Sequence, residues 1–430
     1  MQKLLNFIKN SPTAFHAAKN IGDVLTRNGF IKLSENQKWN LISGGKYYIT
    51  RNSSSVIAFT LPNDTNELSF NITAAHLDSP TFKLKPNFTI DTGKYGMLNT
   101  EIYGGPILNT WMDRPLNIAG RVIVNDNGLK TKLISFDKAM AIIPNCSIHY
   151  YPELNKGVAL NANNDLVPLM ADKLFGDIDL NSLIAEKLNI NKDNIVSSDL
   201  YLSILERGTV GGLNDEFIMA PQIDNLECSY ACLEAFINSN NDKSVNVLAL
   251  FDNEEIGSRT RQGAGSKMLS DILERVSYSL GKTIEEHKIA LANSFIVSAD
   301  NAHGFHPNYP QKFDKTNVVY LNKGIVIKSA ARGSYTTDAV SSGYFKTICN
   351  LAEAKYQLNA NRSDIPGGST LGIVSLSNVS ILSVDIGLPQ LSMHSALETA
   401  GSSDYYELIK ALKKFYELHL LINSDGELTF

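Results

Sequence analysis

The sequence predicts an α/β fold, in which helices cover a mixed, largely parallel sheet and a β-rich domain is inserted into the chain. In the C-terminal half, near-continuous apolar runs such as Val245–Phe251 alternate with helical segments, which is typical of buried parallel strands. From residue 86 to residue 218, short β-type runs punctuated by glycine and proline replace this alternation. We therefore expect one discontinuous α/β domain, residues 1–85 and 219–430, and one inserted domain, residues 86–218.

The N-terminal segments predict two helices, a hairpin and a strand. The first thirty residues have helical character, and Ser11-Pro12 ends one helix and can start the next. KYYITRNSSSVIAFTLP has two β-rich runs around a polar turn at residues 52–54, which indicates a hairpin. LSFNITAAHLD predicts a further strand that ends at His76.

The predicted insert consists of the short runs YGGPIL, IAGRVIV, TKLISF and AIIPNCSIHYY, followed by a polar helical stretch around residues 182–188. Within the insert, the candidate catalytic residue is His149. A histidine on a strand with a satisfied hydrogen-bond partner is the alternative interpretation of that residue.

After Pro221, helices and buried strands alternate. The strand candidates are VNVLALF, SFIVSAD, GIVIK and VSILSVDIG. The helix candidates are LECSYACLEAFINS, SKMLSDILERVSYSL, VSSGYFKTICNLAEAK and, at the end of the chain, YYELIKALKKFYELHLLI. This order predicts a largely parallel, helix-covered sheet.

Composition and charge argue against several classes of function. Of the 430 residues, 43% are hydrophobic and 19% are charged, an ordinary soluble globular balance. The net charge of −5 provides no electrostatic footprint for nucleic acid. No apolar stretch approaches the ~18 residues of a membrane span, and no signal peptide is visible, so we expect no membrane partner. Four scattered cysteines without a CxxC pair favour a reducing compartment, and we expect a cytoplasmic protein.

Acidic and histidine side chains occur where the apolar strands end. The candidates in such positions, together with the acid of APQIDNLE, are His76, Asp224, Glu254, Glu255, Asp300 and His394. A loop containing Pro389 separates His394 from its strand. Because ligands of open α/β sheets bind outside the carboxyl ends of the strands, we expect these distant side chains to converge.

The donor set favours a two-metal hydrolase. Zinc binds imidazole nitrogen and carboxylate oxygen, and two metals ~3.5–4 Å apart can share one carboxylate and one water. Glu254 and Glu255 point apart on a turning backbone, so one can bind metal while the other acts as general base. Each motif alone is weak, since a Glu-Glu pair is usually a solvated loop and residues 300–303 could form a helix cap. The joint pattern outweighs these alternatives.

Several longer motifs resemble the M18 family of metallo-aminopeptidases, the aspartyl aminopeptidase group. They run from SPTAFHAA through AAHLDSPTFKLKP, YGGPILNTWMDRPLNIAGRV and EFIMAPQIDNLECSYACLEAF to GGSTLG. The most specific are NEEIGS, SADNAHGFHPNY and QLSMHS, which occur in this order. The resemblance spans almost the whole chain.

The resemblance implies roles for individual residues. His76 and Asp300 would bind one metal, Glu255 and His394 would bind the other, and Asp224 would bridge them. Glu254 would be the general base towards a bridging water, and Asp78 would orient His76. The resemblance also implies a zinc-peptidase-type catalytic domain with an inserted β-rich dimerisation domain, two divalent ions, and a tetrahedral homododecamer. Zn²⁺ is expected, although Co²⁺ and Mn²⁺ also suit these donors.

The family acts on peptides with a free N-terminus and favours acidic N-terminal residues. The candidate substrate contacts are His303, His306, Lys328 and Tyr335, with a structural capping role as the alternative for His303. The resemblance also implies that His149 would be presented towards a neighbouring active site. Two loops depart from the family pattern, IVIKSAARGSYTTDA and GGST, so a strict Asp or Glu preference is left open. The alternatives are a related two-metal amidohydrolase, a broad-specificity aminopeptidase, or an inactive assembly protein of the same fold.

Overall fold

Helices and strands occupy most of the chain. The computed structural model describes residues 1–206, 208–365, 367–368, 370–372 and 378–430. In these ranges the α-helices are α1 (Gln2–Lys9), α2 (Ala14–Arg27), α3 (Leu180–Leu188), α4 (Ile223–Ile237), α5 (Met268–Ser279), α6 (Ile284–Ala292), α7 (Ala339–Leu351) and α8 (Asp404–Glu417). None of the helices in the described ranges is both long and apolar enough to cross a membrane.

The strands form three larger sheets and one small hairpin. In chain order they are β1 (Ile31–Lys32), β2 (Lys46–Arg51), β3 (Ser55–Thr60), β4 (Phe70–His76), β5 (Thr81–Asp91), β6 (Tyr95–Tyr103), β7 (Leu116–Asn125), β8 (Leu129–Ser135), β9 (Leu169–Asp172), β10 (Ile195–Ile204), β11 (Thr209–Gly211), β12 (Phe217–Ala220), β13 (Val245–Phe251), β14 (Phe295–Ala299), β15 (Ala302–His303), β16 (Ile325–Ser329), β17 (Tyr356–Ala360), β18 (Leu382–Gly387), β19 (Pro389–Leu391), β20 (Glu398–Gly401), β21 (Leu421–Ser424) and β22 (Glu427–Thr429).

The main sheet has nine strands in the order β1-β2-β3-β13-β4-β14-β18-β16-β17. Its central strands β13, β4, β14 and β18 are parallel, and antiparallel pairs occur at β2–β3, β3–β13 and β16–β18. Successive side chains of a strand point to opposite faces, so Val247 and Ala249 join one core while Leu248 and Leu250 join the other. The predicted mixed, largely parallel and helix-covered sheet is confirmed.

The register of the central strands sets the position of the candidate site. Phe251 at the end of β13 pairs with His76 at the end of β4, and Ser298 of β14 pairs with Ala74. The acidic residues that follow β13 and β14 therefore emerge beside His76 at one edge of the sheet.

A second sheet, formed by residues 81–204, has six antiparallel strands in the order β8-β7-β10-β5-β6-β9. It has a hydrophobic core of its own, which includes Trp111, Ile118 and Leu200. The helix α3 packs into this core through Leu180 and Ile184. The sheet begins with Thr81 at the start of β5, so residue 86, the expected start of the insert, lies inside this strand.

A third sheet, in the order β11-β12-β20-β19-β15, was not predicted from the sequence. The expected loop at Pro389 is wrong, because Pro389 is the first residue of β19 and pairs with Ala302. A proline is tolerated there, since the first residue of a strand can lack an N–H donor. His394 consequently lies in the turn between two antiparallel strands, β19 and β20.

The last helix is also shorter than predicted, since α8 ends at Glu417 and β21 and β22 follow as a hairpin. The side chain of Asn241 donates to the carbonyls of Tyr416 (2.9 Å) and Leu418 (2.8 Å). Asn71 donates to the same Leu418 carbonyl at 2.7 Å. These donors from distant segments satisfy the free carbonyls of the last turn and end the helix.

Candidate metal centre

Six predicted residues meet at the carboxyl edge of the main sheet. Their ligand atoms form three overlapping groups, each within 4.8 Å. The groups are His76 with Asp224 and Asp300, His76 with Glu254 and Glu255, and Asp224 with Glu255 and His394. We call the first group the His76 cluster and the third the His394 cluster.

Asp224 belongs to both clusters. Its Oδ1 lies 3.5 Å from Nε2 of His76, and its Oδ2 lies 3.4 Å from Nε2 of His394. Nε2 of His76 is also 3.5 Å from Oδ1 of Asp300, and Nε2 of His394 is 3.4 Å from Oε2 of Glu255. One carboxylate thus lies between two imidazole–carboxylate pairs, the arrangement expected of a bridging ligand.

Irregular backbone at the ends of regular elements places these side chains. Asp224 lies in the first turn of α4 with non-helical φ of −77° and ψ of 106°. Glu254 and Glu255 form a 3₁₀ turn directly after β13, entered through Asn253 with φ of 64°. His394 has φ of 69° in the β19–β20 turn. Such conformations cluster at functional sites, where the surrounding structure holds them.

Asp78 connects the first histidine to the Glu-Glu turn. Its Oδ1 accepts the main-chain N–H of Glu254 and its Oδ2 that of Glu255, both at 3.1 Å. Its main-chain carbonyl lies 3.0 Å from Nδ1 of His76. A proton on Nδ1 would satisfy this contact, leaving the Nε2 lone pair to face Asp224 and Asp300.

Glu398 is a residue of the site that the sequence did not reveal. It is buried at the start of β20, and its Oε1 accepts the main-chain N–H of His394 at 2.6 Å. The signal in the sequence was weak, since it consisted only of an acidic residue four positions after His394. Glu398 pairs with Ala220 in β12, however, and this pairing could be known only from the tertiary structure.

Known proteins resemble this chain over nearly its whole length. The family described as aminopeptidase I zinc metalloprotease (M18) matches residues 7–416. A probable M18 family aminopeptidase 2 of Clostridium novyi is 46% identical over 424 residues, covering 97% of this chain and 98% of its own. A protein of the same description from Pseudomonas aeruginosa is 39% identical over 422 residues, covering 96% and 97%.

This chain belongs to the M18 family of aminopeptidases. It is a metallo-aminopeptidase, a hydrolase of a family described as zinc metalloproteases. Solved structures are similar as well. The structure of the Ape4 and Nbr1 complex aligns with a TM-score of 0.93 and 34% identity, over 96% of this chain and 85% of that chain. The S. cerevisiae mApe1 dodecamer aligns with a TM-score of 0.83 and 28% identity, over 96% and 95%.

The donor set of this M18 aminopeptidase suits divalent cations. Among the described residues, Oδ1 of Asp224 and Oε1 of Glu255 are buried without a hydrogen-bond partner. A buried carboxylate oxygen without a partner is costly unless a cation or a proton satisfies it. Imidazole and carboxylate are the donors that zinc takes in catalytic sites.

Burial and neighbouring carboxylates shift the pKa of both glutamates of the site. Burial, together with Asp300, Asp78 and Asp224, raises the pKa of Glu254 to about 8, although His76 opposes the shift. Burial and then Asp224 raise the pKa of Glu255 well above its ordinary value.

The two histidines shift in the same direction. Burial alone would lower the pKa of His76, but the adjacent carboxylates of Asp224 and Asp300 raise it well above its ordinary value. The pKa of His394 is likewise raised, chiefly by Asp224, against the effect of burial. A site of this kind takes up either protons or cations.

The predicted substrate residues lie in two places. His303 and His306 line a cleft of about 550 Å³ next to Met393. Lys328 is only 3% exposed, with Nζ 3.9 Å from Oδ2 of Asp300 and 5.6 Å from the ring centroid of Tyr335. Lys328 therefore contacts one oxygen of Asp300, while the other oxygen of Asp300 faces His76.

His149, by contrast, lies exposed in a turn that follows β8 of the second sheet, and it does not line the cleft of His303 and His306.

The divergent GSYTT loop is attached to the main sheet, since the main-chain N–H of Thr336 donates to Oδ2 of Asp385 at 2.6 Å. The Thr370 hydroxyl donates to Oδ1 of Asp385 at 2.7 Å. Ser369 of the GGST segment lies outside the described residues.

Proposed function

We propose that this M18 aminopeptidase holds two divalent cations and uses Glu254 as its general base. His76 and Asp300 would hold one cation, Glu255 and His394 the other, and Asp224 would contact both. The observation that supports this most is the placement of Asp224, whose two oxygens face the two histidines at 3.5 and 3.4 Å. Zn²⁺ is the proposed ion, with Co²⁺ or Mn²⁺ as substitutes that the same donors accept.

The proposed reaction removes the N-terminal residue of a peptide. When bound, two such cations polarise the scissile carbonyl and lower the pKa of the attacking water. Glu254 accepts a proton from that water and returns it to the leaving amine. Its Oε2 lies 4.0 Å from Nε2 of His76, so it is close to the cluster. Asp78 keeps the Glu254 turn and His76 in fixed relative positions through the contacts described above.

We further propose that acidic N-terminal residues are preferred, with His303 and His306 contacting the substrate. The cleft they line also contains Lys312 and Arg362, which supports attraction of a carboxylate. Lys328 and Tyr335 would affect the substrate only indirectly. Lys328 offsets the charge of Asp300, and the ring of Tyr335 lies next to Lys328. The proposal is tested with peptides that begin with Asp, Glu, Leu or Lys. Comparable kcat/KM for all four would remove the preference and leave a broad-specificity aminopeptidase.

The requirement for a free amino terminus separates this function from other two-metal amidohydrolases. We expect an N-acetylated peptide to resist cleavage while its free counterpart is shortened by one residue, as followed by mass spectrometry. Hydrolysis of the acetylated peptide at an equal rate would instead indicate a related amidohydrolase. No hydrolysis by zinc-loaded protein would indicate an inactive member of the fold.

The assembly is also a proposal. We infer a homo-oligomer, a tetrahedral dodecamer in its full form, on the ground that the similar S. cerevisiae mApe1 is a dodecamer. Residues 86–218 would be the inserted oligomerisation domain, and residues 1–85 and 219–430 the catalytic domain. The separate core of the second sheet supports this division. Light scattering of the purified protein tests it, and a monomer at all concentrations would contradict it.

His149 of this insert would complete a neighbouring active site, a role that its exposure allows. We expect His149→Ala to reduce turnover while leaving metal content and assembly unchanged. We also propose a cytoplasmic location. The four cysteines are free, which suits a reducing compartment.

A further inference from the structure

The segment 103–107, Tyr-Gly-Gly-Pro-Ile, leaves the second sheet at the end of β6 and passes along the metal centre. The hydroxyl of Tyr103 donates to Oδ2 of Asp78 at 2.7 Å. The same hydroxyl accepts from Nδ2 of Asn253 at 2.8 Å. Since Asp78 also binds the turn of Glu254 and Glu255, one tyrosine of the second sheet supports the groups around His76.

The same segment also holds the other histidine. The carbonyl of Gly105 lies 3.0 Å from Nδ1 of His394, and the N–H of Ile107 donates to the His394 carbonyl at 2.9 Å. A proton on Nδ1 directed at Gly105 leaves Nε2 to face Asp224 and Glu255. This contact is made by the main chain, so a change of side chain at Gly105 does not remove it.

Gly104, between these two contacts, lies against Glu255. A Cβ at Gly104 would stand 3.1 Å from Cβ of Glu255 and 3.4 Å from Pro80. Its φ of +72° is in the left-handed region, which glycine adopts at little cost. The segment therefore approaches Glu255 more closely than most side chains at this position would allow.

We propose that segment 103–107 is a positioning element that sets the orientation of both histidine ligands, so that the second sheet forms part of the metal centre of its own chain. This inference rests on the proposed two-cation function. It assigns Tyr103 and Gly104 as positioning residues: Tyr103 acts through Asp78, and Gly104 through the space it leaves for Glu255.

The first test compares Tyr103→Phe with Tyr201→Phe. Tyr201 packs edge-on against Tyr103, with ring centroids 5.8 Å apart, but its hydroxyl is not a donor to Asp78. We expect Tyr103→Phe to weaken zinc affinity about 10-fold to 100-fold, the usual effect of losing such a supporting contact. The control should keep wild-type affinity, measured by competition with a chromophoric chelator.

The second test compares Gly104→Ala with Gly93→Ala. Both glycines have positive φ, +72° and +85°, but a Cβ at Gly93 meets nothing within 4 Å. Both variants therefore impose similar backbone strain, and only Gly104→Ala pushes against Glu255. We expect Gly104→Ala to lose zinc more readily than Gly93→Ala, with similar thermal unfolding of the two metal-free proteins.

The outcomes separate this inference from the proposed function. If wild-type protein binds two cations and each variant binds zinc as its control does, segment 103–107 has no positioning role while the two-cation function stands. If wild-type protein binds fewer than two cations, the proposed function itself fails. Selective loss of affinity in Tyr103→Phe and Gly104→Ala supports the inference.

Discussion

Oε2 of Glu398 accepts the main-chain N–H of Asp224 at 3.0 Å, although the two residues are 174 positions apart in the chain. The other oxygen of the same carboxylate accepts from the main chain of His394 and from Nε2 of Gln390. A single buried side chain thus fixes the backbone of the shared acid and of one histidine. Burial, with a contribution from Asp224, raises the pKa of Glu398 to about 8.

Glu398→Gln should weaken the His394 cluster. The amide keeps one acceptor oxygen but places a donor against the other main-chain N–H, so either Asp224 or His394 loses its partner. We expect about a 10-fold to 100-fold loss of zinc affinity. Metal content after dialysis measures it, with Glu285→Gln, on the exposed face of α6, as the control. Wild-type zinc retention would show that Glu398 is dispensable.

Glu254→Gln should keep its cations and lose turnover. The substitution preserves shape and leaves the main-chain contact with Asp78 intact, but removes the group that accepts the proton. General base catalysis is typically worth ~10²–10⁴ in rate, and we expect a fall in kcat of that order. In the companion variant Glu255→Gln, metal content should fall instead. Normal peptide hydrolysis by Glu254→Gln would refute the assignment.

His394→Ala should reduce the cations bound per chain from two to one. The remaining His76 cluster keeps its imidazole and both carboxylates, so one cation can still bind. Elemental analysis of the purified variant tests this, with His306→Ala as a control from the neighbouring cleft. An unchanged metal content would exclude His394 as a ligand.

Cation affinity should rise with pH. In the metal-free protein the pKa of Glu254 is raised from 4.5 to about 8, so its carboxyl is largely protonated at neutral pH. The pKa of Glu255 is also raised well above its ordinary value, so binding of a cation there must displace a proton. Calorimetry in buffers of different ionisation enthalpy should detect proton release. Zinc affinity that is equal at pH 6 and pH 8 would contradict this coupling.

The same shifts predict how the metal-free protein responds to pH. A carboxyl with a raised pKa in the folded state contributes stability that is present below its unfolded pKa and is lost as pH rises through the folded value. For Glu254 this window runs from 4.5 to about 8. The melting temperature of metal-free protein should therefore fall across this range, and zinc should restore it. A melting temperature that rises steadily to pH 8 would show that other groups dominate.

Local pattern was enough to locate the central strands of the main sheet, whereas β1 and β17 at its edges were not predicted. The runs that end at His76 and Phe251 are buried strands as predicted, because continuous apolar sequence of that length needs cover on both faces. The third sheet escaped prediction, because β19 and β20 have only three and four residues and β19 begins with a proline. Strands this short have no periodicity to detect.

The sequence alone determined the α/β class, the family, and which imidazoles and carboxylates are available at strand ends. Those properties follow from residue type and local order along the chain. Only the tertiary structure decided that Asp224 lies between two histidines and that Lys328 is buried next to Asp300. It also decided that Glu398 accepts hydrogen bonds from the main chain of both Asp224 and His394. Except for the contact between Glu398 and His394, these contacts join residues far apart in the sequence, and the tertiary fold sets their distances.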